Sequence, residues 1–350
     1  MRLLRHFGQA IRRMARAVYI RLLFFTGLLR WARYRVAKRG TVVLTLHRVL
    51  PDAEYDSAGS QRGMVVRART FERLLQYLRR RCRCVLLDSA GPGVVEQGGG
   101  SRPRVALTFD DGWRDNFETA FPISRSYQLP FTVFLCPQMI SGNGSAWSAT
   151  VTALWWAARR AGKLTLVRSL SGSFVNGSVD SLIERLKQIS PEDREVFIAE
   201  LQSALKPYTA DAPASPEHLL SWSQVKEMGG AGVSFGSHTN THQVLTRIAR
   251  SDAIKELAES RKAIEAELKT CPWLAYPHGD WSESVRDLVS QTGYRHAFTN
   301  SPGVWGPKTN PLSIPRINIW EGSLTGAGGR FSKITTEYAI FWKAYRASRD

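Results

Sequence analysis

Cysteine is scarce in this sequence of 350 residues: the four present are Cys82, Cys84, Cys136 and Cys271. Thiols so few and scattered exclude a disulfide scaffold, and no second pair accompanies Cys82 and Cys84 to complete a zinc ribbon. We interpret them as free thiols, which slightly favours a reducing compartment. A hydrophobic content of 43% with 22% charged residues excludes a wholly disordered chain, and the length allows one large domain or two smaller ones.

The first forty positions contain no acidic residue, and the first carboxylate in the chain is that of Asp52. The same forty residues contain ten Arg and one Lys, so they carry +11 of the formal net charge of +18. The remaining 310 residues carry only +7. The basicity is therefore mostly a property of the N-terminal segment.

Long apolar runs are also missing. The longest uncharged apolar run near the N-terminus, residues 22–29, has eight residues between Arg21 and Arg30, whereas a helix that crosses a bilayer needs roughly 20. A signal peptide is disfavoured, because Arg21 interrupts the apolar stretch and no small-residue cleavage site follows it.

The N-terminal segment nevertheless has a regular apolar pattern with spacings of three or four: Leu4, Phe7, Ile11, Met14, Val18, Leu22, Phe25 and Leu29. This pattern predicts that residues 1–40 form a basic amphipathic helix on an anionic membrane. The alternative is a helix packed on the protein body, with its arginines merely solvated. Nucleic-acid binding is disfavoured, because an arm that follows phosphates needs no apolar stripe. We expect peripheral membrane association at the cytoplasmic face, with a secreted or periplasmic location as the alternative.

Short apolar runs predict strands at residues 41–46, 85–87, 104–109, 131–135, 232–236, 274–276, 297–299 and 313–317. Helical patterns lie between them, including a capping box of Ser221 with Gln224 and a helix over 252–269 in which Glu265 lies four residues before Lys269. Alternating strands and helices predict an α/β fold with a largely parallel sheet or barrel. A Gly-rich loop occupies 91–102, and residues 141–220 are predicted to form an insertion or lid.

Side chains that can bind a metal follow several of these strands. His47 follows the first, Asp110 and Asp111 follow residues 104–109, and His238 and His242 follow residues 232–236. In α/β folds, ligands bind at the carboxyl ends of the strands. These residues are therefore expected to share one site.

The spacing of these residues indicates metal chemistry. A turn opened by Gly112 can bring both carboxylates to one site, and on a helical turn the two imidazoles would share a face. One carboxylate and two imidazoles leave a coordination position for water, as catalytic zinc sites require, and the other carboxylate could then act as general base. An ordinary acidic turn and two surface histidines are the alternatives for each motif taken alone.

Three motifs resemble those of the polysaccharide deacetylase family, which is defined by the NodB-homology domain: residues 107–112 (LTFDDG), 237–242 (SHTNTH) and 274–279 (LAYPHG). The resemblance covers about residues 41–320. It implies a distorted (β/α) barrel and metal-dependent removal of N-acetyl or O-acetyl groups from sugars. Carried over by motif, it implies that Asp111, His238 and His242 bind the metal, usually zinc, and that Asp110 is the base.

The opening motif at residues 44–49 (LTLHRV) resembles the circularly permuted poly-N-acetylglucosamine deacetylase branch. In that branch an early histidine supplies the catalytic acid usually found in a late Leu-x-His motif. The resemblance therefore implies that His47 is the general acid. No Leu-x-His follows His242 in this chain, which agrees with that assignment.

Two positions depart from the family pattern. The arginine that orients the base is replaced by Ala275, and we predict that Arg316 substitutes for it from another strand, with a plain surface arginine as the alternative. The family often has Tyr where this chain has His278. The turn Pro277–Gly279 is expected to contact the substrate and to stabilise the oxyanion through a backbone N–H.

Tryptophans near the motifs and in the insertion suggest a glycan groove, because aromatic rings stack on the apolar faces of sugars. Trp113 is the substrate-contacting candidate, although core packing accounts for about half of these rings. Residues 41–350 are thus expected to be a hydrolase that removes N-acetyl groups from a polysaccharide or lipid-linked glycan, with one divalent metal, zinc. An O-acetyl esterase of the same fold and a non-catalytic sugar-binding module are the alternatives.

Overall fold

The structure is a computed structural model that describes residues 2–56, 60–92, 102–142, 147–171, 178–209 and 219–348, with the backbone alone for residues 2–13. Three sequence predictions fall partly outside this range: the side chains of Leu4, Phe7 and Ile11, most of the Gly-rich loop at 91–102, and parts of the insertion at 141–220. Within the described residues, no helix is both long enough and apolar enough to span a bilayer.

A parallel sheet forms the centre of the molecule. Its strands are β1 (Thr41–Leu46), β4 (Arg83–Cys84), β5 (Arg104–Phe109), β6 (Thr132–Leu135), β7 (Ser234–Ser237), β8 (Trp273–Ala275), β9 (His296–Phe298) and β10 (Ile317–Asn318). They are ordered β10-β1-β5-β6-β7-β8-β9, with β4 beside β5. The segment before β10 hydrogen-bonds to β9, where Ile314 N–H donates to Ala297 O (2.8 Å). The two edges of the sheet therefore approach one another, and the sheet curls into a half-barrel.

Helices surround the sheet: α1 (Arg2–Phe25), α2 (Leu28–Ala37), α3 (Ala68–Arg81), α4 (Phe121–Ser126), α5 (Pro137–Ile140), α6 (Trp147–Arg160), α7 (Leu164–Ser171), α8 (Val179–Leu186), α9 (Pro191–Leu205), α10 (Trp222–Gly230), α11 (Arg250–Leu268), α12 (Glu283–Gln291), α13 (Glu321–Leu324), α14 (Lys333–Glu337) and α15 (Lys343–Ala347). Two π-helical turns precede α4 and α15. A separate pair of parallel strands, β2 (Arg48–Leu50) and β3 (Val65–Arg67), follows β1. The alternation of strands and helices confirms the predicted α/β fold.

Side chains alternate between the two faces of the sheet, because successive residues of a strand point in opposite directions. In β5, Val105, Leu107 and Phe109 pack outward against the helices, while Ala106 belongs to the inner cluster. Continuing this period of two past Thr108 directs Asp110 into the half-barrel, and the same period in β1 directs His47 inward. The polar residues of the site are thus extensions of the inner face.

The N-terminal segment forms two helices rather than the single predicted one. Gly27 has a left-handed backbone (φ 77°) and separates α1 from α2. Leu29 and Val36 of α2 are buried in the main core. In contrast, Leu22 and Phe25 of α1 are 57% and 80% exposed, so the described end of the apolar stripe in α1 faces solvent, whereas the stripe in α2 faces the protein interior.

The described part of the insertion is helical and has a core of its own. Helices α6 to α9 bury a cluster of apolar side chains that includes Trp155, Leu182 and Leu201, separate from the two clusters of the sheet. A hydrogen bond from Arg194 Nη2 to Gln243 Oε1 (3.0 Å) joins α9 to the loop after β7. The insertion therefore contacts the loop that carries His238 and His242.

Two local predictions were wrong. Residues 85–87 lie beyond β4 and lead into a 3₁₀ turn. The last strand begins at Ile317 rather than at residue 313, because Pro315 has no N–H to donate to a strand neighbour. The predicted helix over 252–269 corresponds to α11, in which Glu265 accepts a hydrogen bond from Arg261 (2.9 Å).

Candidate metal-dependent hydrolase site

Asp110 is held by a guanidinium inside the half-barrel. Arg316 Nη1 and Nη2 donate to the two carboxylate oxygens of Asp110, both at 2.7 Å. Arg316 is fully buried and also donates to Thr299 O (2.9 Å) and Asn300 Oδ1 (2.9 Å). A bidentate pair of this kind fixes both the position and the orientation of the carboxylate.

The charges around Asp110 decide its ionisation. Burial alone would raise the pKa of this carboxyl, but the charge of Arg316, that of His238 and the hydrogen bonds from Arg316 outweigh burial. The pKa of Asp110 therefore lies below its ordinary value, and the group is a carboxylate at neutral pH. It is ionised and fixed, as a general base requires.

Asp111, His238 and His242 form a buried trio whose ligand atoms all lie within 4.8 Å of one another. The Nε2 atoms of His238 and His242 lie 3.4 and 3.3 Å from Asp111 Oδ1. The predicted helical turn between the histidines is absent: residues 238–244 form an irregular loop. Left-handed backbones at Thr239 (φ 65°) and His242 (φ 62°) turn the second imidazole back towards the first.

Neighbouring groups set the proton positions in this trio. The carbonyl of Ala275 can only accept, so Nδ1 of His238 donates its proton to it (2.7 Å) and Nε2 faces Asp111. Burial would lower the pKa of His238, but Asp110 and Asp111 outweigh burial and raise it. Burial disfavours the charged form of Asp111, yet the two imidazoles outweigh it and hold the pKa of Asp111 well below its ordinary value. Trp113 Nε1–H donates to Asp111 Oδ2 (2.9 Å) and leaves Oδ1 facing the histidines.

His47 lies near the same oxygen of Asp110 as His238, whose Nε2 is 4.0 Å from Asp110 Oδ2. The Nε2 of His47 is also 4.0 Å from Asp110 Oδ2, which is longer than a hydrogen bond. Burial lowers the pKa of His47, although the charges of Asp111 and Asp110 oppose that effect. The imidazole is therefore neutral at rest and is spaced so that reacting atoms can lie between it and the carboxylate.

The turn Pro277–Gly279 lies beside the trio. His278 has a left-handed backbone (φ 57°), and its ring centroid is 4.9 Å from that of His242 and 6.0 Å from that of Trp147 in α6. Gly279 (φ 73°) has no room for a side chain, because a Cβ there would lie 2.5 Å from Asn300 N. The structure thus places this turn between the metal-binding loop and the insertion.

Trp113 is covered rather than open. Only 6% of it is exposed, and the guanidinium of Arg48 lies 4.4 Å from the ring centroid. Arg48 in turn pairs with Asp115 (2.8 Å). The protein therefore covers most of the ring, and the polar partners of Trp113 are the guanidinium of Arg48 and the carboxylate of Asp111.

The sequence reasoning missed two supports of the site. The pair Arg48–Asp115 lies directly after His47 and four residues after Asp111, and this adjacency was the available signal. Glu256 in α11 accepts the backbone N–H groups of Asn240 and Thr241, both at 2.9 Å, and so holds the loop between the two histidines. No local pattern distinguishes Glu256 from the other acids of that helix.

Comparison with known proteins identifies the family of the chain. The model of the family described as polysaccharide deacetylase matches residues 97–297, a range that contains Asp110 and the trio but neither His47 nor Arg316. YxkH of Bacillus subtilis (strain 168), a relative named for the same family, is 20% identical over 284 residues, which cover 81% of this chain and 75% of YxkH.

Two solved structures share the fold. The Streptococcus pyogenes deacetylase PplD in complex with acetate has a TM-score of 0.53 at 17% identity, over 81% of this chain and 94% of PplD. IcaB from Ammonifex degensii has a TM-score of 0.51 at 19% identity, over 81% of this chain and 94% of IcaB. The predicted deacetylase-type (β/α) barrel is confirmed.

Proposed function

The chain belongs to the polysaccharide deacetylase family of hydrolases, and on that premise we propose that it removes N-acetyl groups from a polysaccharide or lipid-linked glycan by metal-dependent hydrolysis. The observation that carries this proposal is that two consecutive carboxylates have different partners. One carboxylate, Asp111, faces two imidazoles, while its neighbour Asp110 is bound by Arg316. This arrangement separates a metal ligand from a base.

The trio fits a divalent cation. Because its Nδ1–H is donated elsewhere, His238 offers the lone pair of Nε2 in its neutral form, and Asp111 Oδ1 is buried without a hydrogen bond. Electron-pair donors that converge with no proton between them repel one another unless a cation lies among them. Two nitrogens and one oxygen suit zinc, which we propose as the metal.

The remaining residues have distinct proposed roles. A divalent ion held by the trio would polarise the acetyl carbonyl and lower the pKa of water. Asp110 accepts the proton of the attacking water as its oxygen bonds to the acetyl carbon. The neutral His47 takes up the proton that Asp110 has accepted and passes a proton to the leaving amine as the C–N bond breaks, so that acetate and a free amino sugar result. The N–H of Gly279 donates within its own turn (2.8 Å to Tyr276 O), so we assign the N–H of His278 to the oxyanion.

We place the chain in the circularly permuted branch on the position of β1. This N-terminal strand lies between β10 and β5 in the sheet and carries His47, outside the range that the family model matches. Arg316, at the other end of the chain, completes the site next to it. The first and last strands of the domain thus supply the proposed acid and the residue that orients the base.

The test is acetate release by the full chain from N-acetylated and O-acetylated glycan oligomers, with and without a chelator. Chelation should abolish release, and added zinc should restore it. Asp110→Asn should lower turnover by roughly 10²–10⁴-fold with the metal content unchanged, whereas Asp252→Asn, an exposed carboxylate of α11, should have no effect. Wild-type turnover by Asp110→Asn would disprove the assignment, and release from O-acetylated substrates alone would make the enzyme an esterase.

We also propose that α1 attaches the enzyme to an anionic membrane. Leu22 and Phe25 are exposed on a segment that has eleven cations and no acid, which supports this role. Because α2 contributes to the core, substitution is a cleaner test than removal of residues 1–40. Leu22→Asp with Phe25→Asp should prevent sedimentation with anionic vesicles, and Val196→Asp with Ile254→Asp, at exposed apolar positions elsewhere, should not.

A further inference from the structure

A second cationic feature lies far along the chain from the N-terminal segment. A groove of about 740 Å³ runs beside α3, and we call it the basic groove. Its charged lining residues are Arg69, Arg73, Arg80, Arg81, Arg330 and Lys333. No carboxylate is among the described residues that line it. We infer that the basic groove binds the phosphate groups of anionic phospholipids.

The positions of these cations favour an extended set of phosphates over a single ion. Arg69, Arg73 and Arg80 follow one another at spacings of four and seven residues, which places them on one face of α3 over about 16 Å. All three are solvent-exposed or at the rim of the groove, although Arg69 also lies 3.5 Å from Asp52. Cations spaced along a groove match several headgroups of a surface, whereas a site for one phosphate would converge on one point.

The basic groove is joined to the N-terminal helices by a hydrogen-bonded link. Tyr77, which lines the groove, donates its hydroxyl to Glu337 Oε1 (3.1 Å), and the same carboxylate oxygen pairs with Arg33 of α2 (3.3 Å). Lys333 begins α14, and Tyr338 at the end of α14 contacts α1 through the rings of Tyr19 and Tyr338 (6.3 Å). The groove and the exposed apolar side chains of α1 are therefore on adjoining elements.

This continuity identifies the source of the phosphates. A soluble phosphate or a nucleic acid would have no use for the exposed Leu22 and Phe25 on a neighbouring helix, whereas a bilayer accommodates both features, with apolar side chains at the acyl boundary and cations at the headgroups. The inference rests on the proposed membrane association through α1. It adds a second contact made by a different part of the chain.

The test is binding of the full chain to vesicles of phosphatidylglycerol in phosphatidylcholine, compared with vesicles of phosphatidylcholine alone. Arg73→Ala with Arg80→Ala should weaken binding to the anionic vesicles by roughly 30-fold. The matched control is Lys255→Ala with Lys262→Ala, which removes the same charge from exposed positions on α11 and should have little effect. The affinity of the wild type should fall with added salt more steeply than that of the groove variant.

The outcomes separate the basic groove from α1. Unchanged vesicle binding by Arg73→Ala with Arg80→Ala would overturn the inference, even if Leu22→Asp with Phe25→Asp abolished binding and so supported the role of α1. Loss of affinity for a DNA duplex with vesicle binding intact would also overturn it. Turnover of a soluble glycan oligomer should be the same in the wild type and in the groove variant, which shows that the variant is folded. Arg73→Lys with Arg80→Lys keeps both charges, so its vesicle binding should depend on salt as steeply as that of the wild type. A shallower dependence would contradict an electrostatic contact with the phosphates.

Discussion

At the scale of single residues, backbone strain is concentrated at the site. Asp111 (φ 73°), His242 (φ 62°) and His278 (φ 57°) all have left-handed backbones without being glycine. Such conformations are uncommon and cost of order 1–3 kcal/mol in the less favourable cases. Glycine would relieve this strain, but it would remove a proposed metal ligand at Asp111 or His242 and the imidazole at His278. The chemistry of the side chain is therefore decisive at these positions.

Arg316 should stabilise the fold through Asp110 and do so in a pH-dependent way. Arg316→Met leaves a buried carboxylate without its guanidinium, and we expect a loss of about 3–5 kcal/mol in the free energy of unfolding at pH 7. The pKa of Asp110 is below its ordinary value in the folded wild type, so the benefit is present above the unfolded pKa and is lost as the pH falls through the folded one. Denaturant unfolding of both proteins should show a gap that narrows below about pH 4. A gap that is constant with pH would contradict the ionic pairing.

His47 should affect turnover without affecting metal binding. His47→Ala removes the proposed acid, and we expect kcat to fall by roughly 10²–10⁴-fold while the bound metal, measured by elemental analysis, is unchanged. Added imidazole should restore part of the rate, because the space beside Asp110 is vacated. Loss of the metal in this variant would make His47 a ligand instead.

The residues of the site differ in how far the sequence reveals them. Asp110, Asp111, His238 and His242 lie in two short motifs at strand ends, so local pattern was sufficient to place them together. Arg316 could be suggested only because Ala275 leaves the usual position vacant. Glu256 could not be found, because its role depends on which helix packs against the loop and not on its neighbours in sequence.

At the scale of elements, the loop between the two histidines depends on α11. Glu256 accepts two backbone N–H groups and the hydroxyl of Thr241 (2.5 Å). These three hydrogen bonds stabilise the loop and offset the backbone strain of its two left-handed residues, Thr239 and His242. The helix therefore acts as a rigid support for ligands that it does not itself provide.

Glu256→Ala should weaken metal binding even though Glu256 contacts no metal. Losing the partners of Asn240 and Thr241 lets the loop relax, and we expect affinity for zinc to fall by roughly 10–100-fold. Titration with zinc against a competing chelator measures this. Asp252→Ala on the same helix is the control and should match the wild type. If Glu256→Ala bound zinc normally but unfolded more readily, the role of Glu256 would be limited to stability.

At the scale of strands, the limits were predicted best for those that are buried on both faces of the sheet. The predicted limits of β1 and β5 coincide with the observed ones, because both are continuous runs that are covered on both faces, as central parallel strands are. The spacing of His238 and His242 was wrongly interpreted as helical. Left-handed residues in a loop can also bring two side chains that are four positions apart to the same side. Long-range packing decides between those two conformations.

At the scale of the whole molecule, the ends of the domain adjoin. Arg39 Nη1 donates to Ser348 O (2.7 Å), and the rings of Trp31 and Tyr345 are 4.8 Å apart. The fold class was predictable from the alternation of strands and helices, but this closure was not, because no local pattern indicates which strands form the edges. The division of the chain at residue 40 stays a prediction, and α2 packs on the barrel.

The closure predicts that a rearranged chain should work. A permutant that runs through residues 102–348, a short Gly/Ser linker and residues 27–92 keeps every strand pairing and moves His47 to the late position usual in the family. We expect it to release acetate from a soluble oligomer within roughly tenfold of the wild type. A permutant that folds, as judged by circular dichroism, yet releases no acetate would show that the connection between β4 and β5 matters beyond joining the two strands.

The pairing of Asp110 with Arg316 across 206 positions also has a consequence during synthesis. A ribosome delivers both metal-binding motifs long before it delivers the guanidinium, and until then burial would favour a protonated, inactive Asp110. We therefore expect chains that end before residue 316 to release no acetate. Hydrolysis would then begin only once the last strand of the sheet has been translated.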